Sequence, residues 1–431
     1  MKRKVKNDAH WKFIYLRKRM IAIYVSMLLI SFSLFAQQPL DNMVEMIWQQ
    51  NAGIQAMQNQ MEMLKEKETL VQKLMDPMLA IEYSSVPIDS WVLDETPMSG
   101  IQFKLQQTFP FPGKNNLREE IASSELTAKN WELEEMKLQL AGQFKKIYAS
   151  LAMVRQLEKK SEKHITLLLQ LKSSLQTKYE TGKANQHDLL RLDIMVQKLQ
   201  DDLKDFRQKD NELTAALNSI LNRNYNEPIL INNLITIEIS EKLTELLETA
   251  RQNRPLLKKM EQEEKTQRLE MKLAHRDRLP DLTIWAGYRY RQDIGTMESP
   301  DFASVGISFP IPFDFLGRTR AKYKMFNYKR KAVENSYNDA IAKLSAQLEK
   351  ELSSYQRANE KMATYENDLI PNAENALKMT LAAYENGKAD FSSIYQAQLQ
   401  ILDFERTLIK TNNQILISQF SIEALTGFKE K

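Results

Sequence analysis

Tyr384-Glu-Asn-Gly-Lys-Ala389 has a near copy at Tyr179-Glu-Thr-Gly-Lys-Ala184, and the interval between the two decides how the rest of the chain is read. Each hexapeptide stands between a long run of helical periodicity and a shorter one. Gly182 and Gly387 supply the backbone freedom with which a helix stops and turns back, so each copy reads as the tip of a helical hairpin. Beyond the turns, Leu189, Leu199 and Leu203 correspond to Ile394, Phe404 and Leu408 at the same spacing of about 205 residues. The chain therefore consists of two comparable repeats.

Upstream of the first tip nothing but Gly142 interrupts the pattern from 114 to 178. That predicts a helix of about 65 residues, roughly 100 Å long at 1.5 Å per residue. Upstream of the second tip a similar helix is expected over 318–386, with Val333, Tyr337, Ile341, Leu344, Leu348 and Leu352 forming a narrow coiled-coil-like seam and Pro371 a local kink. The returning helices, 187–222 and 390–426, cover only about half of their partners. Two further helical patterns, 40–75 and 255–279, the latter opened by Pro255, are available to cover the remainder. Between the repeats, 223–254 is a mixed segment with a β-like Leu234–Ile239 and a short helix over 241–253.

The period changes at four places. Leu79, Ile81 and Tyr83 alternate with Ala80, Glu82 and Ser84, and Ile101, Phe103, Leu105 and Phe109 with Gln102, Lys104, Gln106 and Thr108. The second repeat does the same: Leu282, Ile284, Ala286, Tyr288 and Tyr290 oppose Thr283, Arg289 and Arg291, then Ala303, Val305, Ile307 and Phe309 oppose Ser304, Gly306 and Ser308. Four strands of about nine residues, apolar on one side, have the length that crosses a bilayer obliquely. Four strands cannot close a barrel, and an open edge in lipid is prohibitively costly, so several chains must share one. Tyr288, Tyr290, Phe103 and Phe109 suit an interfacial girdle, and Lys104, Glu82, Arg289 and Arg291 a wet lumen. Phe109-Pro-Phe-Pro-Gly113 and Phe309-Pro-Ile-Pro312 stop the second strand of each pair.

Residues 1–36 read as a signal peptide: eight basic residues against Asp8, an uncharged run over 21–36, and a small residue at Ala36. Without them the formal charge of +4 becomes −3, with 52 basic and 55 acidic residues, and no basic footprint for nucleic acid remains. With no cysteine the exported chain has neither a disulfide framework nor an acylation site. No catalytic constellation is visible, since His10, His164, His187 and His275 lack metal-ligand spacing, and no cofactor is implied. Methionines such as Met43, Met57 and Met61 fall on a helical seam as packing residues. Two readings stay open on these grounds: a channel, or a periplasmic coiled-coil scaffold or adaptor that binds partners without forming a pore.

The order of these features resembles the TolC family of outer-membrane efflux channels. The shared features are the two repeats, the strand pairs, Phe109-Pro-Phe-Pro-Gly-Lys114, Asn253-Arg-Pro255 at a helix start, Leu369-Ile-Pro371 and the two Tyr-x-x-Gly turns. The Phe-Pro-Phe-Pro-Gly-Lys form is most similar to the branch associated with heavy-metal efflux. The resemblance implies a mainly α chain contributing four strands to a trimeric α/β-barrel, located in the outer membrane with a helical tunnel in the periplasm. It implies a passive conduit for heavy-metal or drug export, working with a periplasmic adaptor and an inner-membrane pump. Its division would be 1–36 signal peptide, 37–222 first repeat, 223–254 equatorial segment and 255–431 second repeat. Adaptor docking would fall on Tyr179, Gly182, Lys183, Ala184, Tyr384, Gly387, Lys388 and Ala389. Tyr384 and Asp188 occupy the positions of a tyrosine–aspartate pair that helps hold the family's tunnel closed. The arginine two residues after the second glycine is Ala389 here, and the constricting aspartates six and nine residues after it are Ser393 and Gln396.

Overall fold

A computed structural model describes residues 40–231, 239–240, 242–311 and 317–427. The expected signal peptide, most of Leu234–Ile239 and Pro312 lie outside them. In chain order the elements are α1 Leu40–Gln50, α2 Ala52–Gln72, β1 Met78–Ser84, β2 Gly100–Phe109, α3 Lys114–Glu180, α4 Gln186–Ile220, α5 Leu243–Asn253, α6 Pro255–Arg276, β3 Leu282–Tyr290, β4 Phe302–Ser308, α7 Arg318–Thr364, α8 Ile370–Glu385 and α9 Phe391–Thr426. None of the described helices is long and apolar enough to cross a membrane.

The expected helix over 40–75 is two helices. Asn51 makes the break: its side-chain oxygen accepts from the backbone N–H groups of Gly53 at 2.9 Å and Ile54 at 3.3 Å, which caps a new helix, while its amide donates to the Ile220 carbonyl at 2.9 Å. The long helix before the second tip also departs from expectation. Instead of a simple kink at Pro371, Tyr365–Leu369 widens into a π turn in which the Ile370 N–H reaches the Tyr365 carbonyl. Proline lacks a donor and its ring crowds the carbonyl four residues back, and one i→i−5 turn relieves both without ending the helix.

The chain forms two compact units, each drawing on both halves of the sequence: Met1–Gln55, Met136–Gln252 and Ser345–Lys431 in one, Ala56–Glu135 and Asn253–Leu344 in the other. The first is a helical bundle. Phe144, Tyr148, Leu151, Leu192 and Leu217 are fully buried in it, and Gly142 lies where a Cβ atom would stand 2.8 Å from the Cβ of Ala424. The one breaker inside α3 is thus a site of close helix approach to α9.

The second unit contains the sheet, of order β1-β2-β3-β4 and antiparallel throughout. Leu79, Leu105, Ala286 and Val305 lie in one row across it, and Ile81, Phe103, Tyr288 and Ala303 in the next. Along β3, Leu282, Ile284, Ala286, Tyr288 and Tyr290 are exposed, whereas the intervening residues, Trp285 among them, are partly covered. That is the reverse of a sheet folded on a core in water. The opposite face joins Arg289 to Gln102 at 3.0 Å and Thr108 to Thr283 at 2.8 Å, and sets the Lys104 ammonium 4.6 Å from the centre of the Trp285 ring.

α3 and α6 meet beside the sheet, through Ile121, Leu269 and Leu273 and a 2.8 Å bond between the Ser124 and Thr266 hydroxyls. The residues after the Phe109–Gly113 stretch explain its close. Lys114 is 4 % exposed and donates to the Leu279 carbonyl at 2.7 Å and to the Asp281 carboxylate at 2.8 Å, while Asp281 also accepts from the Phe111 N–H at 2.8 Å. One partly buried ion pair therefore joins the start of α3 to the start of β3.

Candidate functional site

α3 and α8 both end in a Schellman motif. At the first tip the Gly182 N–H bonds the Tyr179 carbonyl at 2.9 Å and the Lys183 N–H the Lys178 carbonyl at 2.8 Å; at the second, Gly387 bonds Tyr384 at 3.1 Å and Lys388 bonds Ala383 at 2.8 Å. The glycines adopt φ of 72° and 69°, and a Cβ added at either meets nothing within 4 Å. Their requirement is conformational, not steric. The next helices begin alike, after Asn185 and Asp390 in extended backbone.

The two tips pack on one core. Leu175 from α3, Leu189, Leu192 and Val196 from α4, and Phe391, Ile394 and Leu402 from α9 are buried together, with Ala184 and Tyr384 against them. Arg191 reaches Ser392 at 2.8 Å across the hairpins. Gly182, Lys183, Gly387 and Lys388 remain exposed, and Ala389 is half-buried.

In backbone the tips are copies; in side chains they are not. Tyr384 is drawn in: its ring meets Phe391 edge-on at 6.1 Å and carries the Lys178 ammonium 4.1 Å from its centre. Burial and, second, the Asp188 carboxylate push its hydroxyl pKa up. No hydrogen bond joins Tyr384 to Asp188 within this chain, so the structure brings the expected pair near one another without bonding it. Tyr179 has Gln186 where Tyr384 has Phe391, and it stands 41 % exposed. The repeat alone suggested equivalence; the residue seven beyond each tyrosine was the available signal against it.

A polar cluster that the sequence reading passed over lies farther along the same bundle. His164 is buried, and its Nε2 lies 2.6 Å from the Glu405 carboxylate, which also accepts from Lys160 at 2.5 Å. The His164 contact foremost, with Lys160, brings the Glu405 carboxyl down to about 2. Next to it Arg406 pairs with Asp202 at 2.7 Å and donates to Ser161 at 3.0 Å. These groups fix the register of α3, α4 and α9. No group of three or more His, Asp or Glu side chains among the described residues forms a metal site.

Residues 246–428 match the family described as Outer membrane efflux protein. That stretch is similar to the family over less than half of the chain's length. The matched stretch is essentially the second repeat with its strands and tip, and solved structures extend the likeness to the fold of the remainder. CusC is 14 % identical, with 90 % of this chain and 92 % of that one covered and a TM-score of 0.76. The outer-membrane protein VceC of Vibrio cholerae is 16 % identical, with 90 % and 96 % covered and a TM-score of 0.73. The Campylobacter jejuni CmeC outer-membrane channel is 13 % identical, with 90 % and 85 % covered and a TM-score of 0.73. A comparison with curated proteins gives no match. The scaffold reading finds no support in these likenesses.

Proposed function

We propose that this protein is an outer-membrane efflux channel, the passive exit duct of a tripartite pump, in which three copies close one twelve-stranded barrel and extend their hairpins into the periplasm. The observation that carries this reading is the sheet: four strands with a continuous exposed apolar face, and with β1 and β4 left as edges. The apolar face is intolerable in water and the unpaired edges are intolerable in hydrocarbon, and joining β4 of each copy to β1 of the next removes the edges. The division into residues 1–36, 37–222, 223–254 and 255–431 then describes an export signal and two repeats that each supply a strand pair and a hairpin.

The exposed turns at Gly182 and Gly387 are the surfaces offered to a periplasmic adaptor. Tyr179, Lys183, Ala184, Lys388 and Ala389 would form that contact, while Tyr384, held by Phe391 and Lys178 beside Asp188, would steady the closed tip. Neither role involves catalysis; energy and cargo choice would lie with the inner-membrane partner.

The natural absence of cysteine makes the test direct. Paired variants such as A80C with S304C, one on each edge strand, are expected to give a disulfide-linked trimer in membranes under oxidising conditions. Either single variant should give none. Single chains alone across a set of such pairs in staggered register would overturn the shared barrel.

A further inference from the structure

The last turns of α6, the first turn of α3 and the first turns of α7 line an open cavity of about 1040 Å³ in the unit that holds the sheet. Its chemistry is divided. Leu117, Met271, Leu279 and Tyr323 supply apolar wall, and six side chains that can carry positive charge supply the rest. Two of these are already neutralised, because Arg268 and Arg330 share Glu264, at 2.8 and 3.2 Å, and Arg330 also pairs with Glu334 at 3.2 Å. Lys272, Arg276 and Arg278 have no hydrogen-bonding or ionic side-chain partner among the described residues, and all three are exposed. The Arg276 guanidinium lies against the backbone at Gly113, where a Cβ would stand 2.2 Å from it. Glycine at 113 thus leaves room for this cation, in addition to permitting φ of 83°.

We propose that the cavity binds the phosphate-bearing headgroup of an anionic glycerophospholipid. The proposal rests on the reading of the sheet as membrane-embedded. Three cations without a partner among the described residues favour a phosphate, and the apolar wall selects what is attached to it. Leu279 precedes Leu282, the first member of the exposed apolar row of β3, by three residues, a rise of about 10 Å. Acyl chains leaving the cavity would therefore continue onto the lipid-facing side of the sheet. A small free anion would gain nothing from the wall, and exposed cations in water hold such ions weakly. Support of the α6 macrodipole accounts for His275 and Arg276 in its last turn, but not for Arg278 beyond its end or for the wall.

The test is native mass spectrometry of the trimer in detergent, titrated with phosphatidylglycerol or phosphatidylethanolamine, for the wild type and K272Q/R276Q/R278Q. The wild type should retain about one phosphatidylglycerol per chain, preferred about tenfold or more over phosphatidylethanolamine, since each cation contributes appreciably to anionic-lipid affinity. The triple variant should lose that preference while keeping its trimer mass and bilayer conductance. R278Q alone, lying past the helix end, should lose part of it and guards against a folding defect in the triple variant. Equal retention of the two lipids, or an unchanged preference in both variants, would overturn the proposal. Release of bound phosphatidylglycerol by excess inorganic phosphate would overturn it too, assigning the cavity to free anions. A wild type that conducts but shows no preference contradicts the lipid site alone, whereas one that neither trimerises nor conducts contradicts the channel reading beneath it.

Discussion

Gly182 and Gly387 isolate one physical term, because open space around both leaves only the backbone conformation to object to a side chain. Valine at either position should cost about 1–2 kcal/mol locally, from the left-handed conformation alone. We expect G182V and G387V to retain trimers and barrel, as seen by unchanged heat-modifiable migration, while efflux measured in cells falls to background. Loss of trimers would make these glycines purely structural. Glu405 gives an expectation in pH. Its carboxyl, ordinarily near 4.5, titrates at about 2 in the folded chain, so its contribution is fully present above 4.5 and is lost as pH falls through 2. With solvent screening the contribution is about 2 kcal/mol, and E405Q should flatten the melting temperature of the purified protein across that window. The tips were legible because a turn that needs a positive φ leaves a glycine at a fixed distance after a helical pattern. The His164–Glu405 contact was not, because it joins residues 241 positions apart whose meeting depends on helix register that no local pattern encodes.

At the scale of elements, the breakers located nearly every boundary, since proline and glycine act on the backbone they occupy. The two departures came from subtler competition. Asn51 ended a helix through its side chain, and Pro371 was absorbed by a π turn instead of a kink. Gly142 is the case where a breaker marks packing. A larger residue there must displace Ala424 and the α9 backbone behind it, so G142L should cost about 1–3 kcal/mol by overpacking, and G142A less. Thermal unfolding of both variants in detergent would check the order; equal stability of wild type and G142L would show that α3 and α9 do not meet closely there. Lys114 belongs to this scale as well, because its partly buried pair with Asp281 holds α3 to β3. K114A leaves that partly exposed carboxylate unmatched and should cost about 1–3 kcal/mol, whereas K114A/D281A should recover part of the loss in the same assay.

For the whole molecule, the sheet decides between alternatives that the helices leave open. Long helical hairpins would serve a soluble scaffold as well as a tunnel, but a four-stranded sheet with Val305 at 85 % and Ile81 at 65 % exposure has no stable place in water. The alternation along each strand was readable in the sequence, as was its consequence that one chain cannot close a barrel. The pairing of β2 with β3, which joins the two repeats into one sheet, was not, because strand order is set by topology and not by composition. The most direct test of the account is the native mass of the membrane-extracted protein in detergent, taken with its conductance in a planar bilayer. The expected result is a trimer that falls to single chains only on heating and that conducts ions. A water-soluble monomer or dimer without conductance would contradict the channel at its foundation.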